Sequence, residues 1–443
     1  MKKIAIPFFF LILNISLFAQ TKQWTLHECV NHALENNISV KQSELELEAS
    51  EVDKLEAIGN FLPSLNANMS GSKNTGLSLN PTNNQLENTT FGSASGAVNV
   101  GLNLFDGLRN IRQLQRSKLS QLASQYRLDK MKDDIALMVA NSYLQVLLNK
   151  ANLKVAKSQN IVTLEQLDRT NNLVDAGVLP RGDLLEIKAT DANEKQRIAV
   201  AENTVKISLI SLAQLLLIKD YTNFDIADED YKIVDGGIAD KDVTEIIESA
   251  KETRAEVKIA NKNVELAQKD LQISRGAYYP TISGFFGYNT RYADNDPLQT
   301  PFIEQLYLND GIGYGLQLNV PIFNGFAVKS NVKRSKINLK NTEYQLEQAE
   351  LDLESNVYQA YVDANGALKA FEAATVALES QELAYQYAKD RYDVGLTNAF
   401  DFSQSKLRFD NAKVEENRAK FEYIFKLKVL ELYFGVPPSE LKF

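Results

Sequence analysis

The sequence predicts a mainly α-helical chain that carries a membrane β-barrel portion: a long α-helical barrel attached to four β-strands per protomer. Three observations predict it. Glycine and proline penalise helix interiors, and they leave very long stretches of this chain untouched. Four segments of about ten residues alternate apolar and polar side chains, the length and pattern of transmembrane strands. Finally, the chain echoes itself. Gly177 and Gly395 lie 218 positions apart, as do Asp183 and Asp401, and Leu104-Phe-Asp-Gly107 recurs at the same offset as Ile322-Phe-Asn-Gly325. Upstream the offset is 217, where Ala33–Val40 aligns with Ala250–Val257 and Pro63 with Pro280. A tandem duplication follows, with a first repeat at 20–240 and a second of the same order at 241–443.

Taken in order, Lys2 and Lys3, the apolar run from Ile4 to Phe18 and Ala19 have the layout of a secretory signal, which assigns 1–19 to a signal peptide and leaves Gln20 first. No cysteine stands at the cut, which argues against a lipid anchor. Removing Lys2 and Lys3 from 48 basic residues leaves 46 against 57 acidic ones, a net charge of −11 that gives no reason to expect a nucleic-acid partner. The single Cys29 can form no internal disulfide. Elsewhere the most apolar stretch, Ile207 to Ile218, is too short for a spanning helix.

Thr25-Leu-His-Glu28 reads as a capping box opening one helix to Ile58. After Pro63, Leu65, Ala67 and Met69 alternate with polar residues. The Asn/Ser/Gly-rich segment from Gly71 to Thr90 reads as a loop, and Val98, Val100, Leu102 and Leu104 mark a second strand. Leu108 to Ala176 contains neither Gly nor Pro; as one helix it would be roughly 100 Å long at about 1.5 Å per residue. Its positions Ile135, Val139, Val146 and Leu153 share a 3.5-residue stripe with Ser142 and Asn149, the period of helices winding round neighbours. A helix from Asp183 to Leu217 returns, and Ile218 to Asp240 reads as an irregular connection.

The second repeat follows suit. Lys241 to Arg275 reads as a helix, and Thr281 to Tyr292 as a strand with Ile282, Phe286, Tyr288 and Tyr292 outward. Ala293 to Asp310 reads as a loop with Pro297 and Pro301. Ile312 to Ile322 is the clearest strand. Phe326 to Val394 reads as a helix whose Val357, Tyr361, Ala364, Leu368, Phe371, Thr375 and Leu378 keep spacings of four and three. After the Gly395 turn, Asp401 to Phe434 returns. The hairpins, about 64–105 and 281–323, are the membrane portion. Four strands cannot close a barrel, and open edges are not tolerated in lipid, so the chain must oligomerise. Three copies give a shared 12-stranded barrel.

The chain resembles the TolC-like outer-membrane efflux protein family over essentially its whole mature length. The resemblance rests on Trp24-Thr-Leu-His-Glu-Cys-Val-Asn-His-Ala-Leu-Glu-Asn-Asn37, Phe61-Leu-Pro63 and Arg391-Tyr-x-x-Gly395 through Asp401. It implies a homotrimeric duct in outer-membrane lipid, extending into the periplasm and docking a periplasmic adaptor protein served by an inner-membrane pump or secretion ATPase. Substrates would pass unchanged, with selection left largely to the pump. It also implies that the helix-turn-helix tips, Gly177, Val178 and Leu179 in the first repeat and Val394, Gly395, Leu396 and Thr397 in the second, carry adaptor docking. Asp401 would line the entrance, where three carboxylates in a ring would favour cations. Gln404 stands where the family has a second acidic ring, and Tyr392 matches a residue that holds the closed tip. Val174 occupies the equivalent place in the first repeat.

Plainer readings stand beside these. Asp401 could be the N-cap of the returning helix, as Asp183 could be of its own. Gly177 and Gly395 read as left-handed turn residues. His27 and His32, with Glu28, are spaced by five rather than the four that puts two ligands on one helix face, so no metal site is expected. Gly311-x-Gly-x-Gly315 opens a strand, not a phosphate loop. Tyr288, Tyr292 and Tyr314 suit an aromatic belt or ordinary strand positions. No nucleophile elbow, Cys/His cluster or Walker sequence occurs, so neither enzyme nor cofactor is expected. The alternative function is a periplasm-spanning structural or adhesive coiled-coil protein without a pore, which would need neither alternating strands nor a duplicated tip.

Overall fold

A computed structural model of the chain describes residues 23–79, 85–228, 237–238, 241–296 and 298–437. The expected signal segment, Pro297 and most of 229–240 lie outside them. In chain order the elements are β1 (Gln23–Trp24), α1 (Leu26–Asn36), α2 (Ile38–Gly59), β2 (Ser64–Leu79), β3 (Leu86–Phe105), α3 (Arg109–Asp175) and α4 (Arg181–Leu215). There follow β4 (Asp225–Ile226), α5 (Val243–Thr253), α6 (Ala255–Gly276), β5 (Thr281–Ala293), α7 (Phe302–Leu308), β6 (Gly311–Asn319), α8 (Ala327–Asp393) and α9 (Ala399–Phe434). Contacts divide them into a helical unit (Met1–Lys41, Lys132–Ile246, Val357–Phe443) and a strand-bearing unit (Gln42–Met131, Ile247–Asn356).

The capping box at Thr25 is present: its backbone N–H donates to Glu28 Oε2 at 3.0 Å and its hydroxyl accepts from the Glu28 N–H at 3.3 Å. The helix it opens is not continuous to Ile58, however. Asn37 leaves helical geometry at φ −59°, ψ 136°. Its Oδ1 accepts from the Ser39 N–H at 2.9 Å and its Nδ2 donates to the Leu215 carbonyl at 3.3 Å. An asparagine side chain thus satisfies backbone groups that the helix would have used. At 217 positions' remove, Arg254 breaks the other helix with similar backbone angles, φ −70°, ψ 134°, but without a side-chain cap. Neither break is at glycine or proline, so punctuation did not mark it.

In the helical unit, Val139 and Val146 on α3 and Val357 and Ala364 on α8 are buried, so both long stripes face inward. The α8 and α9 helices touch through stacked Phe371 and Tyr423 rings, 6.4 Å apart, and a Lys426–Asp363 ion pair at 2.7 Å. The connection after α4 is less irregular than its sequence suggested, because β4 pairs in parallel with β1. The Lys150 ammonium donates to the Ile226 carbonyl at 2.9 Å and pairs with Asp225 at 2.6 Å, holding β4 on α3. By length and composition alone α4 is long and apolar enough to cross a membrane, against the sequence expectation. Leu212 and Ala213 account for part of this by facing the core, while Val200, Ile207 and Ile210 are exposed.

In the strand-bearing unit, β2, β3, β5 and β6 form one antiparallel sheet in that order. The expected loop from Gly71 to Thr90 is largely strand: Gly71 pairs with Ala94, Thr75 with Thr90 and Leu79 with Leu86. Polar composition misled here, because hydroxyl side chains pair across strands. Ser70 meets Ser95 at 2.8 Å, Ser72 meets Ser93 at 3.0 Å and Thr75 meets Thr90 at 2.9 Å. The last strand is shorter than expected. It stops at Asn319, opposite the first residue of β5, so Val320 and Ile322 have no strand partner and Pro321 has no N–H to offer. The expected loop from Ala293 to Asp310 contains α7.

Each hairpin passes to its long helix through two successive left-handed residues: Gly107 and Leu108 at φ 74° and 66°, then Gly325 and Phe326 at φ 60° and 65°. A non-glycine residue there costs roughly 1–2 kcal/mol, and the chain accepts this twice at equivalent positions. Asp106 Oδ2 caps α3 by accepting from the Asn110 N–H at 2.8 Å.

Candidate functional site

Two places in the fold gather the residues that the sequence singles out: the pair of helical turns in the helical unit, and the exposed sheet in the other. Both turns use the same chemistry. Val178 N–H donates to the Leu173 carbonyl at 2.9 Å and Gly177 N–H to Val174 at 3.0 Å; in the second turn Leu396 donates to Arg391 at 2.8 Å and Gly395 to Tyr392 at 3.0 Å. These paired bonds satisfy the last helical carbonyls and require a left-handed residue between them. Gly177 and Gly395 supply it at φ 74° and 76°. A Cβ on either would meet nothing within 4 Å, so the backbone angle alone demands glycine. Around them Val178, Val394 and Leu396 are about 70 % exposed, while Leu179 and Thr397 are half-buried.

Asp401 is not the N-cap of α9. The cap is Asn398, whose Oδ1 accepts from the Asp401 N–H at 2.8 Å, because the helix begins two residues earlier than its polar spacing suggested. Asp183 likewise follows a cap at Pro180, the start of a helix that takes in Gly182. Asp401 is exposed in the first turn, where a helix N-terminus favours negative charge, and Thr397 Oγ1 donates to its Oδ2 at 3.3 Å. Gln404 is exposed one turn further on. It lines a groove of about 160 Å³ between α4 and α9 with Glu186, Thr190, Phe400 and Ser403.

Tyr392 sits apart from these exposed groups. It is buried with Ile187, Ala399 and Phe402, its ring stacked 4.9 Å from that of Phe402. Its hydroxyl bonds Thr170 Oγ1 at 3.0 Å, both groups buried. Burial pushes the phenol above its ordinary pKa, so the hydroxyl keeps its proton for this bond. Beside it, Arg169 reaches from α3 to the last turn of α8, donating to Asp393 Oδ1 at 2.8 Å and to the Asp393 carbonyl at 3.0 Å. The two turns are therefore clasped by Tyr392–Thr170 and Arg169–Asp393. Sequence reasoning singled out Tyr392 but missed Arg169 and Thr170, since a pairing between the repeats leaves no trace in the 218-residue offset. Val174 contributes only its carbonyl.

Deeper along α4 and α9 lies a second missed cluster. Lys406, buried, donates to Glu194 Oε1 at 2.6 Å and to Asp410 Oδ2 at 3.4 Å. Asn160 donates to Asp191 Oδ1 at 3.0 Å and to Glu194 Oε2 at 3.2 Å. Asp410 Oδ1 has no hydrogen-bond partner. Burial pushes the Asp410 carboxyl up to about 6, against the pull of the Lys406 ammonium. Hydrogen bonds from Lys195 and then Asn160 hold Asp191 below its ordinary value. The histidines are elsewhere, with His32 edge-on to Trp24 at 5.1 Å and His27 beside Asn31.

The sheet carries the other half of the site. Directly paired residues share a face, so the register collects Leu65, Val100, Phe286 and Tyr314 in one row and Ala67, Val98, Tyr288 and Ile312 in the next. Leu316, Leu318 and Met69 extend the same face, which is apolar and open; Met69 is 93 % exposed and Tyr314 80 %. Tyr288, Tyr292 and Tyr314 all lie on it. The opposite face holds Asn66, Asn68, Ser70, Asn99, Asn103, Ser283, Asn289 and Gln317. Phe91, paired with Asn74, and Phe285 are aromatic exceptions there; Phe285 lies over Gly315, where a Cβ would come within 3.1 Å of the ring. Among the described residues, β2 and β6 each pair on one side only.

Comparison with known proteins agrees with this geometry. The model of the outer membrane efflux protein family matches residues 29–216 and 246–435. The chain is 22 % identical to protein CyaE of Bordetella pertussis over 302 residues, which is 68 % of this chain and 62 % of CyaE. It is also 22 % identical to the proteases secretion protein PrtF of Dickeya chrysanthemi, covering 88 % of this chain and 84 % of PrtF. The fold is that of the outer membrane channel CmeC of Campylobacter jejuni, with a TM-score of 0.79 at 17 % identity over 93 % of this chain and 85 % of CmeC. The duplicated order of helices, hairpin and clasped turns thus has its explanation: the chain belongs to the outer membrane efflux protein family.

Proposed function

We propose that the protein is an outer-membrane duct of a tripartite efflux or type I secretion system, passively conducting substrates delivered by an inner-membrane pump or ATPase through a periplasmic adaptor. The sheet carries this reading furthest. It has one apolar exposed face, one polar and glycine-bearing face, and two edges that nothing among the described residues pairs. Lipid tolerates such strands only in a closed barrel, and three copies supply twelve strands with the polar face inward. The repeats at 20–240 and 241–443 then each give one hairpin to the membrane and one helical pair to the periplasm, after removal of 1–19. Exposed Val200, Ile207 and Ile210 on α4 would be covered by a neighbouring copy. The chain is a duct and not an enzyme.

At the far end of the helices, Asp401 repeated by threefold symmetry makes the acidic entrance ring, with Gln404 polar but uncharged behind it. The clasp at Tyr392 holds the tips closed. Gly177, Val178 and Leu179 with Val394, Gly395, Leu396 and Thr397 form the adaptor-docking surface, since apolar side chains left in water on a rigid turn suit a partner. Planar-bilayer recording tests the duct: discrete channels are expected from the reconstituted protein. A complete absence of channels, even in Asp401→Ala, would refute it. Leu396→Asp is expected to abolish adaptor binding with channel formation retained; undiminished binding would reject the docking assignment.

A further inference from the structure

Helix α7 is unused by the duct described above, yet it is firmly built. Its Gln305 is buried and takes the place of a strand residue against the end of β5. The side-chain amide accepts from the Ala293 N–H at 3.0 Å and donates to the Ala293 carbonyl at 3.0 Å and the Thr300 carbonyl at 2.8 Å. Asn309 Nδ2 donates to the Arg291 carbonyl at 3.2 Å. The ladder between β5 and β6 ends at Asn289 and Gly311, so the amides of this segment continue the pairing of the β5 edge where β6 stops.

Two further contacts fix the side of the sheet on which α7 lies. Thr290 Oγ1 donates to the Leu306 carbonyl at 2.6 Å, and the Tyr292 ring meets Phe302 edge-on at 4.9 Å. By the two-residue period of a strand, Thr290 and Tyr292 point the same way as Phe286 and Tyr288, which is the apolar face. Yet the helix and the segment before it leave apolar residues uncovered: Leu298, ahead of the helix, is 86 % exposed, and on the helix Ile303 is 62 %, Tyr307 76 % and Leu308 68 %. From Ile282 to Tyr292 the strand rises about 34 Å at about 3.4 Å per residue. Tilted as barrel strands are, this spans the roughly 25 Å of a membrane apolar band. Tyr292 therefore stands at one rim. The other end of the sheet adjoins α3 and α6, so the α7 rim is the one facing away from the helices.

We infer that α7, with Leu298, is an interfacial helix lying in the outer rim of the bilayer, its exposed Ile303, Tyr307 and Leu308 seated at the boundary of headgroups and acyl chains. The partner is the lipid surface itself. The inference rests on the membrane reading of the sheet, whose apolar face it continues, and it gives the barrel an anchor that resists vertical slippage.

Quenching by brominated phosphatidylcholine tests both readings separately. Tyr307→Trp is made in the full chain and assembled in vesicles whose lipid carries bromine either near the headgroup or deep in the chains. Tyr314→Trp, opposite Phe286 in the middle of the band, is the depth reference, and the parent supplies the background of Trp24. Tyr307→Trp is expected to be quenched more by shallow than by deep bromine, and Tyr314→Trp more by deep than by shallow; Ile303→Trp repeats the test beside it. If Tyr314→Trp is quenched and both α7 variants are not, the inference is overturned. A red-shifted emission would then mean a water-exposed loop, and a blue-shifted one a cover formed by a second copy. If Tyr314→Trp is also unquenched, the membrane reading of the sheet falls first.

Discussion

Removing one oxygen atom from Tyr392 probes the proposed clasp of the two turns most sharply. In Tyr392→Phe the ring keeps its burial and its stacking on Phe402, so the loss is confined to the bond with Thr170, a residue with no exposed surface. A neutral hydrogen bond contributes about 0.5–1.5 kcal/mol, and stranding a buried hydroxyl raises the cost to about 1–3 kcal/mol. Arg169→Ala removes the fork on Asp393; Arg169 is about half exposed, so its share is only about 0.2–1 kcal/mol. Together they weaken the clasp by about 1.2–4 kcal/mol per chain, roughly an 8- to 900-fold shift between clasped and released turns. Single-channel recording should show greater open occupancy in the double variant than in either single one. Adding Thr170→Val to Tyr392→Phe should bring occupancy back toward the parent, because removing both partners leaves no hydroxyl unsatisfied. Unchanged occupancy in a folded Tyr392→Phe, Arg169→Ala double variant would refute the clasp.

Three further outcomes are expected. Asp401→Asn should lower the preference for cations over anions in a salt gradient, and an unchanged reversal potential would reject the entrance ring. Asp410 has a carboxyl held at about 6 when folded against 3.8 ordinarily, so its contribution to stability is fully present below about 4 and is lost as pH rises through 6. That shift bounds the loss at about 3 kcal/mol. Asp410→Asn should therefore flatten the fall in melting temperature between pH 4 and 7, and an undiminished slope would assign the effect to other groups. Gly107→Ala should damage folding far more than Gly325→Ala. Its Cβ would lie 2.2 Å from the Gly276 carbonyl oxygen, whereas Gly325 has open space and only the left-handed penalty of roughly 1–2 kcal/mol. Equal losses would contradict the junction geometry.

The long helices were legible because their signal is an absence: without Gly or Pro between Leu108 and Ala176 or between Phe326 and Val394 except Gly366, little can interrupt them. Strand faces were legible because period-two alternation assigns each side chain to one side. What escaped was set by side chains acting across space. Asn37 and Arg254 break helices without being helix breakers by composition. The Ser and Thr ladder turned an apparent loop into strand, and Gln305 built a helix where two prolines suggested none. At the paired turns, the glycines could be read from the sequence, while Arg169, Thr170, Lys406 and Asp410 could not. Arg169, Thr170 and Lys406 find partners in other helices, Asp410 is set by its burial beside Lys406, and a charged residue in a helix reads as solvated until packing places it inside.

Four strands in the large sheet, with two edges unpaired among the described residues, make assembly the central claim. Light scattering on the mature protein in mild detergent, corrected for bound detergent, measures it directly. The expected mass is three times that of one chain, the number that closes twelve strands into one barrel. A folded monomer that survives gentle extraction would contradict the shared barrel, and with it the duct.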